Sequence, residues 1–86
     1  QKERIYMLVK KAVEKRIIGL CSERGIAINN LANISGVSPS TVYSILNGKS
    51  QNPGIGTLKL LCDGFGISLA EFFDTEEFRS LEQEMK

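Results

Sequence analysis

Few residues in this chain can do chemistry on a substrate. No histidine occurs among its 86 residues. That removes Ser-His and Cys-His nucleophilic pairs, the HExxH metal motif and an imidazole switch near neutral pH. The two cysteines, Cys21 and Cys62, form no CxxC pair and have no histidine to complete a zinc site. Both fall in apolar helical patterns and read as reduced, buried thiols of a cytoplasmic protein. Gly54-x-Gly56 and Gly64-x-Gly66 do not follow strands, so neither reads as a phosphate-binding loop. Asn33-Ile34-Ser35 has the form of a glycosylation acceptor but lies inside a helical pattern. No nucleophile–base pair or metal cluster emerges. An enzyme is therefore not expected, and neither is a metal, a cofactor or a small-molecule ligand.

The charge pattern points to a different kind of chemistry. Net charge is +1, but its distribution is uneven. Residues 1–24 hold seven bases against Glu3, Glu14 and Glu23. Residues 25–62 hold only Lys49 and Lys59, with no acid, so this stretch can approach a polyanion without repulsion. Residues 63–86 hold seven acids against Arg79 and Lys86, and such an end should face away from a polyanion. The basic cluster Lys10, Lys11, Lys15 and Arg16 reads as a solvated helix face or as part of the polyanion contact.

These residues must be positioned by a small scaffold. A chain of this length is one domain, expected to span residues 1–86, and buries only about 60% of the surface its unfolded form exposes. Apolar residues make up 42% and charged residues 24%, values of a folded rather than a disordered chain. The longest apolar runs, such as Ile5–Val9, are too short to cross a membrane.

Spacing makes the chain all-α. Ile5, Leu8, Val9, Ala12, Val13, Ile17, Leu20 and Cys21 recur every three or four residues, which predicts one long helix from about Lys2 to Arg24, ended by Gly25. A short helix follows over about Ile28–Ser35, stopped by Gly36. Ser38 as N-cap with Pro39 at the first helical position starts a third helix, which Asn47-Gly48 ends. A fourth helix is expected over Ile55–Phe65, closed by Gly66. Ser68 and Glu71 form an S-x-x-E capping box for a short fifth helix. Phe78, Leu81 and Met85 predict a sixth helix over the tail Thr75–Met85, whose stripe covers either its own domain or a second copy.

The informative stretch runs from Ile28 to Ile45. Ala32 is small where two helices must approach, and Gly36 supplies a tight turn. Leu31, Val37, Val42 and Ile45 lock the pair to the rest. This is the spacing of a helix-turn-helix, whose second helix enters the major groove of DNA. Over about residues 16–73 the chain resembles the phage-repressor-like helix-turn-helix proteins, the Cro and lambda-repressor type, also called the XRE family. The resemblance lies in Ser22-Glu23-Arg24-Gly25-Ile26, Leu31-Ala32, Ser35-Gly36-Val37-Ser38-Pro39-Ser40-Thr41-Val42-Tyr43, Ile45-Leu46-Asn47-Gly48-Lys49, Asn52-Pro53 and Gly66-Ile67-Ser68-Leu69-Ala70-Glu71-Phe72-Phe73. Residues 1–15 are then an N-terminal helix extension and 74–86 an acidic tail.

The resemblance implies a compact five-helix domain that binds DNA operators, often as a dimer, plus a short extra helix here. Residues 39–47 become the recognition helix. Ser38, Pro39, Ser40, Tyr43 and Ser44 are implied to meet base edges. Asn29, Thr41, Asn47, Lys49, Asn52 and Thr57 are implied to meet phosphates, with the first amides of the fourth helix beside them. The chain departs from the family pattern in three places. Ala27 and Ile28 stand where a Ser cap and a Gln are usual, with Asn29 as substitute. Ser44 stands where a long polar side chain is common, and Gly54 and Gly56 where a Ser cap is. The implied function is a cytoplasmic, sequence-specific regulator of transcription that represses by occupying an operator. The recognition helix lacks Arg and Lys. That favours the rival reading, a protein-interaction module of the same fold. Homodimerisation through the N-terminal helix or through Phe78, Leu81 and Met85 is the expected form of self-association.

Overall fold

A computed structural model describes residues 2–47 and 53–81. Six helices follow one another among the described residues: α1 (Lys2–Arg24), α2 (Ile28–Ser35), α3 (Pro39–Leu46), α4 (Ile55–Phe65), α5 (Leu69–Phe73) and α6 (Glu76–Arg79). No strand occurs among them. The helices expected at Ile28–Ser35 and Ile55–Phe65 have those bounds, and α3, expected over residues 39–47, ends one residue early, with Asn47 as its C-cap.

Each boundary has a local cause. Ser38 accepts the Thr41 N–H at 3.3 Å, and Pro39 occupies the first helical position of α3. Ser68 accepts the Glu71 N–H at 3.0 Å and starts α5. Gly36 ends α2 with φ 71°, a left-handed conformation that brings the Val37 N–H onto the Ala32 carbonyl at 3.1 Å. Without that reversal α3 could not fold back onto α2.

The core is a single cluster. Ile17, Leu31, Ala32, Val42, Ile45, Leu61, Cys62 and Phe72 are buried in it, with Val13, Leu20, Cys21, Leu58, Phe65 and Ile67. The tightest crossing is between α2 and α4, where Ser35 is buried against Gly64. Phe72, Phe73 and Phe78 form an aromatic group with centroids 4.9 to 6.1 Å apart. Phe78 therefore packs on its own domain, and Leu81 is half-buried; Met85 lies outside the described residues.

Three expectations need correction. The α1 stripe is fully buried only from Ala12 onward; Leu8 and Val9 are exposed and Ile5 is half-buried, because only the end of α3 comes beside the first three turns. The sixth helix is a single turn, not one filling Thr75–Met85, since Ser80 already closes it as C-cap. Arg16, grouped with the basic face, does not point away: its Nε donates to the Phe72 carbonyl at 2.7 Å and its Nη2 to the Glu71 carbonyl at 3.0 Å. Arg24 does the same for α4, donating to the Phe65 carbonyl at 2.5 Å. Two arginines of α1 thus donate to C-terminal carbonyls of α4 and α5, of which that of Glu71 also accepts the Asp74 N–H at 3.2 Å.

One N-terminus lacks such help. Ala27 caps α2 with extended backbone (φ −71°, ψ 152°) and no side-chain acceptor. Because that geometry already suits a capping hydroxyl, Ala27→Ser is expected to stabilise the domain by about 1 kcal/mol. Urea unfolding of the two proteins checks it; an unchanged midpoint would show that the α2 amides are already satisfied.

Candidate nucleic-acid interface

α3 shows two faces. Val42 and Ile45 are fully buried and fix the helix to the core. On the other side Ser40, Tyr43, Ser44 and Asn47 recur at helical spacing, with Tyr43 45% exposed and Ser44 half-buried. Ser38, Pro39 and Thr41 are exposed at the start of the helix. Three hydroxyls there are linked: Ser38 Oγ lies 2.8 Å from Thr41 Oγ1 and 3.3 Å from Ser40 Oγ. The Ser38 hydroxyl is thus occupied as a cap, while Ser40 and Thr41 keep further donor and acceptor capacity.

The remaining residues implied by the sequence sit on other elements. Asn29 is exposed on α2, and Thr57 is half-buried in the first turn of α4. Gly54 caps α4 without a side-chain acceptor, and amides at such a helix start suit an anion. Lys49 and Asn52 lie outside the described residues.

No charged residue occurs within α3. Cations stand beside it instead: Lys10 and Lys11 of α1 line a groove with Leu46 and Asn47. Among the described acids of the C-terminal stretch, Glu77 pairs with Lys15 at 3.7 Å, and Asp74 and Glu76 pair with Arg79. Burial pushes the thiols of Cys21 and Cys62 up, and the neighbouring Asp63 adds to the effect at Cys62, so both are protonated at neutral pH. No group of three His, Cys, Asp or Glu side chains arranged for a metal occurs among the described residues. Among the described residues no helix is long and apolar enough to cross a membrane.

Two short helices joined through a left-handed glycine, the second locked by two apolar residues and polar outward, define a helix-turn-helix DNA-binding domain. Residues 16–77 match the Cro/C1-type HTH DNA-binding domain, and the chain belongs to that family. The match runs four residues further than the sequence motifs suggest. The fold is similar to the crystal structure of the prophage Lp1 protein 11, with a TM-score of 0.75 and 29% identity over 84% of this chain and 95% of that one. No curated protein matches the chain.

Proposed function

We propose that this DNA-binding domain is a sequence-specific repressor that acts by occupying an operator, with α3 in the major groove. The observation that carries it is the outward stripe Ser40, Tyr43, Ser44 and Asn47 on a helix whose opposite face is locked into the core. Ser40 and Ser44 offer hydrogen bonds to base edges. Tyr43 offers a hydroxyl and an apolar ring for a thymine methyl. Thr41, Asn47, Lys49, Asn52, Thr57 and Asn29 are the phosphate contacts. Hydroxyls specify weakly, so two copies on half-sites one helical turn apart supply the contacts that one cation-free helix lacks. The exposed Tyr6 and Val9 of α1 support such pairing better than Phe78, which packs on its own core.

Fluorescence anisotropy tests this with DNA from the gene's own upstream region and a scrambled duplex, across salt concentrations. Wild type is expected to prefer the native duplex and to lose affinity as salt rises. Tyr43→Ala is expected to erase the preference. Lys49→Ala is expected to weaken both duplexes equally and to lower the salt slope by about 1. If wild type binds no DNA at low salt, α3 serves a protein partner instead, which its lack of cations would suit.

A further inference from the structure

The recognition helix meets a polyanion without a cation of its own. Its eight residues make it about 12 Å long. The major groove of B-DNA is about 12 Å wide. A helix of that length with its first turn at the base edges ends at the groove wall, where the phosphates run. Asn47 caps that end. Beside it opens a groove of about 340 Å³, lined by Leu46 and Asn47 of α3 and by Met7, Lys10, Lys11 and Glu14 of α1. Four of these six residues precede the family match, which begins at residue 16.

We propose that this groove seats a phosphate of the DNA backbone, with Lys11 as its principal cation and Lys10 beside it. The DNA interface then extends onto the N-terminal turns of α1. The inference rests on the operator reading given above. Elimination supports Lys11. Arg16 and Arg24 are committed to the carbonyls of α5 and α4, and Lys15 pairs with Glu77. Lys11 is exposed and makes no hydrogen bond or ion pair among the described residues. The side chains of Met7 and Leu46 offer apolar surface on which a lysine stem can lie while its ammonium reaches out. Glu14 is the one acid on the groove among the described residues, and it opposes the anion.

The test uses the full chain and the two duplexes above. Lys11→Gln is expected to weaken binding to both by about 3- to 10-fold near 0.1 M salt and to lower the salt slope by about 1 per bound copy. The native-to-scrambled preference should not change, nor should thermal unfolding, since Lys11 is exposed. Glu14→Gln should tighten binding to both duplexes a few-fold. Lys15→Gln removes the same charge one helical turn away and should leave the slope unaltered. The groove assignment is overturned if Lys11→Gln binds within twofold of wild type at an unchanged slope. Equal losses in Lys11→Gln and Lys15→Gln also overturn it, because net charge alone would then account for them. In either case a wild type that prefers its own DNA leaves the operator reading standing; a wild type that binds neither duplex sinks both.

Discussion

Gly64→Ala is expected to destabilise the domain by about 2–3 kcal/mol, in the range seen for overpacked cores. The sign is the informative part. In a helix interior alanine is favoured over glycine by about 1 kcal/mol, so propensity alone would make the variant more stable. Packing reverses this. A Cβ on residue 64 collides with the Ser35 hydroxyl and comes within 3.2 Å of the Ser35 Cβ and 3.4 Å of Ile34 Cγ1. Ser35 is buried, and its Oγ has no hydrogen-bond partner among the described residues. A buried hydroxyl without a partner opposes folding, so Ser35→Ala alone should be neutral or stabilising by up to about 1 kcal/mol. Combining the two removes the collision with Oγ and keeps only the tight Cβ–Cβ approach. The double variant should recover at least 1 kcal/mol of the Gly64→Ala loss, a coupling that a double-mutant cycle in urea measures. Additive single effects, or a Gly64→Ala protein more stable than wild type, would show that α2 and α4 do not meet here.

That crossing explains part of what a sequence can and cannot disclose. The local devices of α2 and α3 are legible because each is written in a few neighbouring residues. Gly36 carries the left-handed turn, Ser38 and Pro39 the N-cap, and Val42 and Ile45 the buried side of α3. Ser35 and Gly64 are 29 positions apart. Their contact exists only once α2 and α4 are crossed, and no local pattern encodes it. The length of α1 was equally local, but its burial was not. Ile5, Leu8 and Val9 continue the apolar spacing of Val13 and Ile17, yet the helices that cover the stripe stop at Ala12. Periodicity reports which face is apolar, not whether anything stands opposite it.

The candidate interface divides in the same way. The outward residues of α3 follow from helical spacing and from which neighbours are buried. Lys10 and Lys11 were visible as a basic pair, but their place beside Asn47 depends on how α1 crosses the end of α3. Arg16 was visible too, and its company held a usable signal. Arg16 stands in one i, i+4 row with Ala12 and Leu20, both buried, so it belongs to the edge of the core. Lys11 and Lys15 stand in a row with Met7 and Gly19, all exposed. The basic face of α1 thus separates into a structural row and a solvent row.

Arg16→Met converts that separation into an expected loss of about 2–3 kcal/mol of stability. The guanidinium donates to two carbonyls in the last turn of α5, at 2.7 and 3.0 Å, and lies 5.9 Å from the Phe72 ring centroid. Hydrogen bonds from a charged donor contribute about 1.5–3 kcal/mol each where water is excluded, and less here because Arg16 is only half-buried. Methionine keeps the apolar stem over Phe72 and removes only the donors, so the variant isolates them from packing. Arg16→Lys should restore less than half of the loss, since one ammonium cannot reproduce the planar fork that reaches both carbonyls. DNA binding supplies the second readout. Below its unfolding midpoint Arg16→Met should bind DNA with the wild-type salt slope, because a side chain turned onto α5 neutralises no phosphate. An unchanged unfolding midpoint with a slope lowered by about 1 would instead place Arg16 on the DNA. α1 thus ties α5 and α4 to the core through Arg16 and Arg24, a role separate from the phosphate contact proposed for its N-terminal turns.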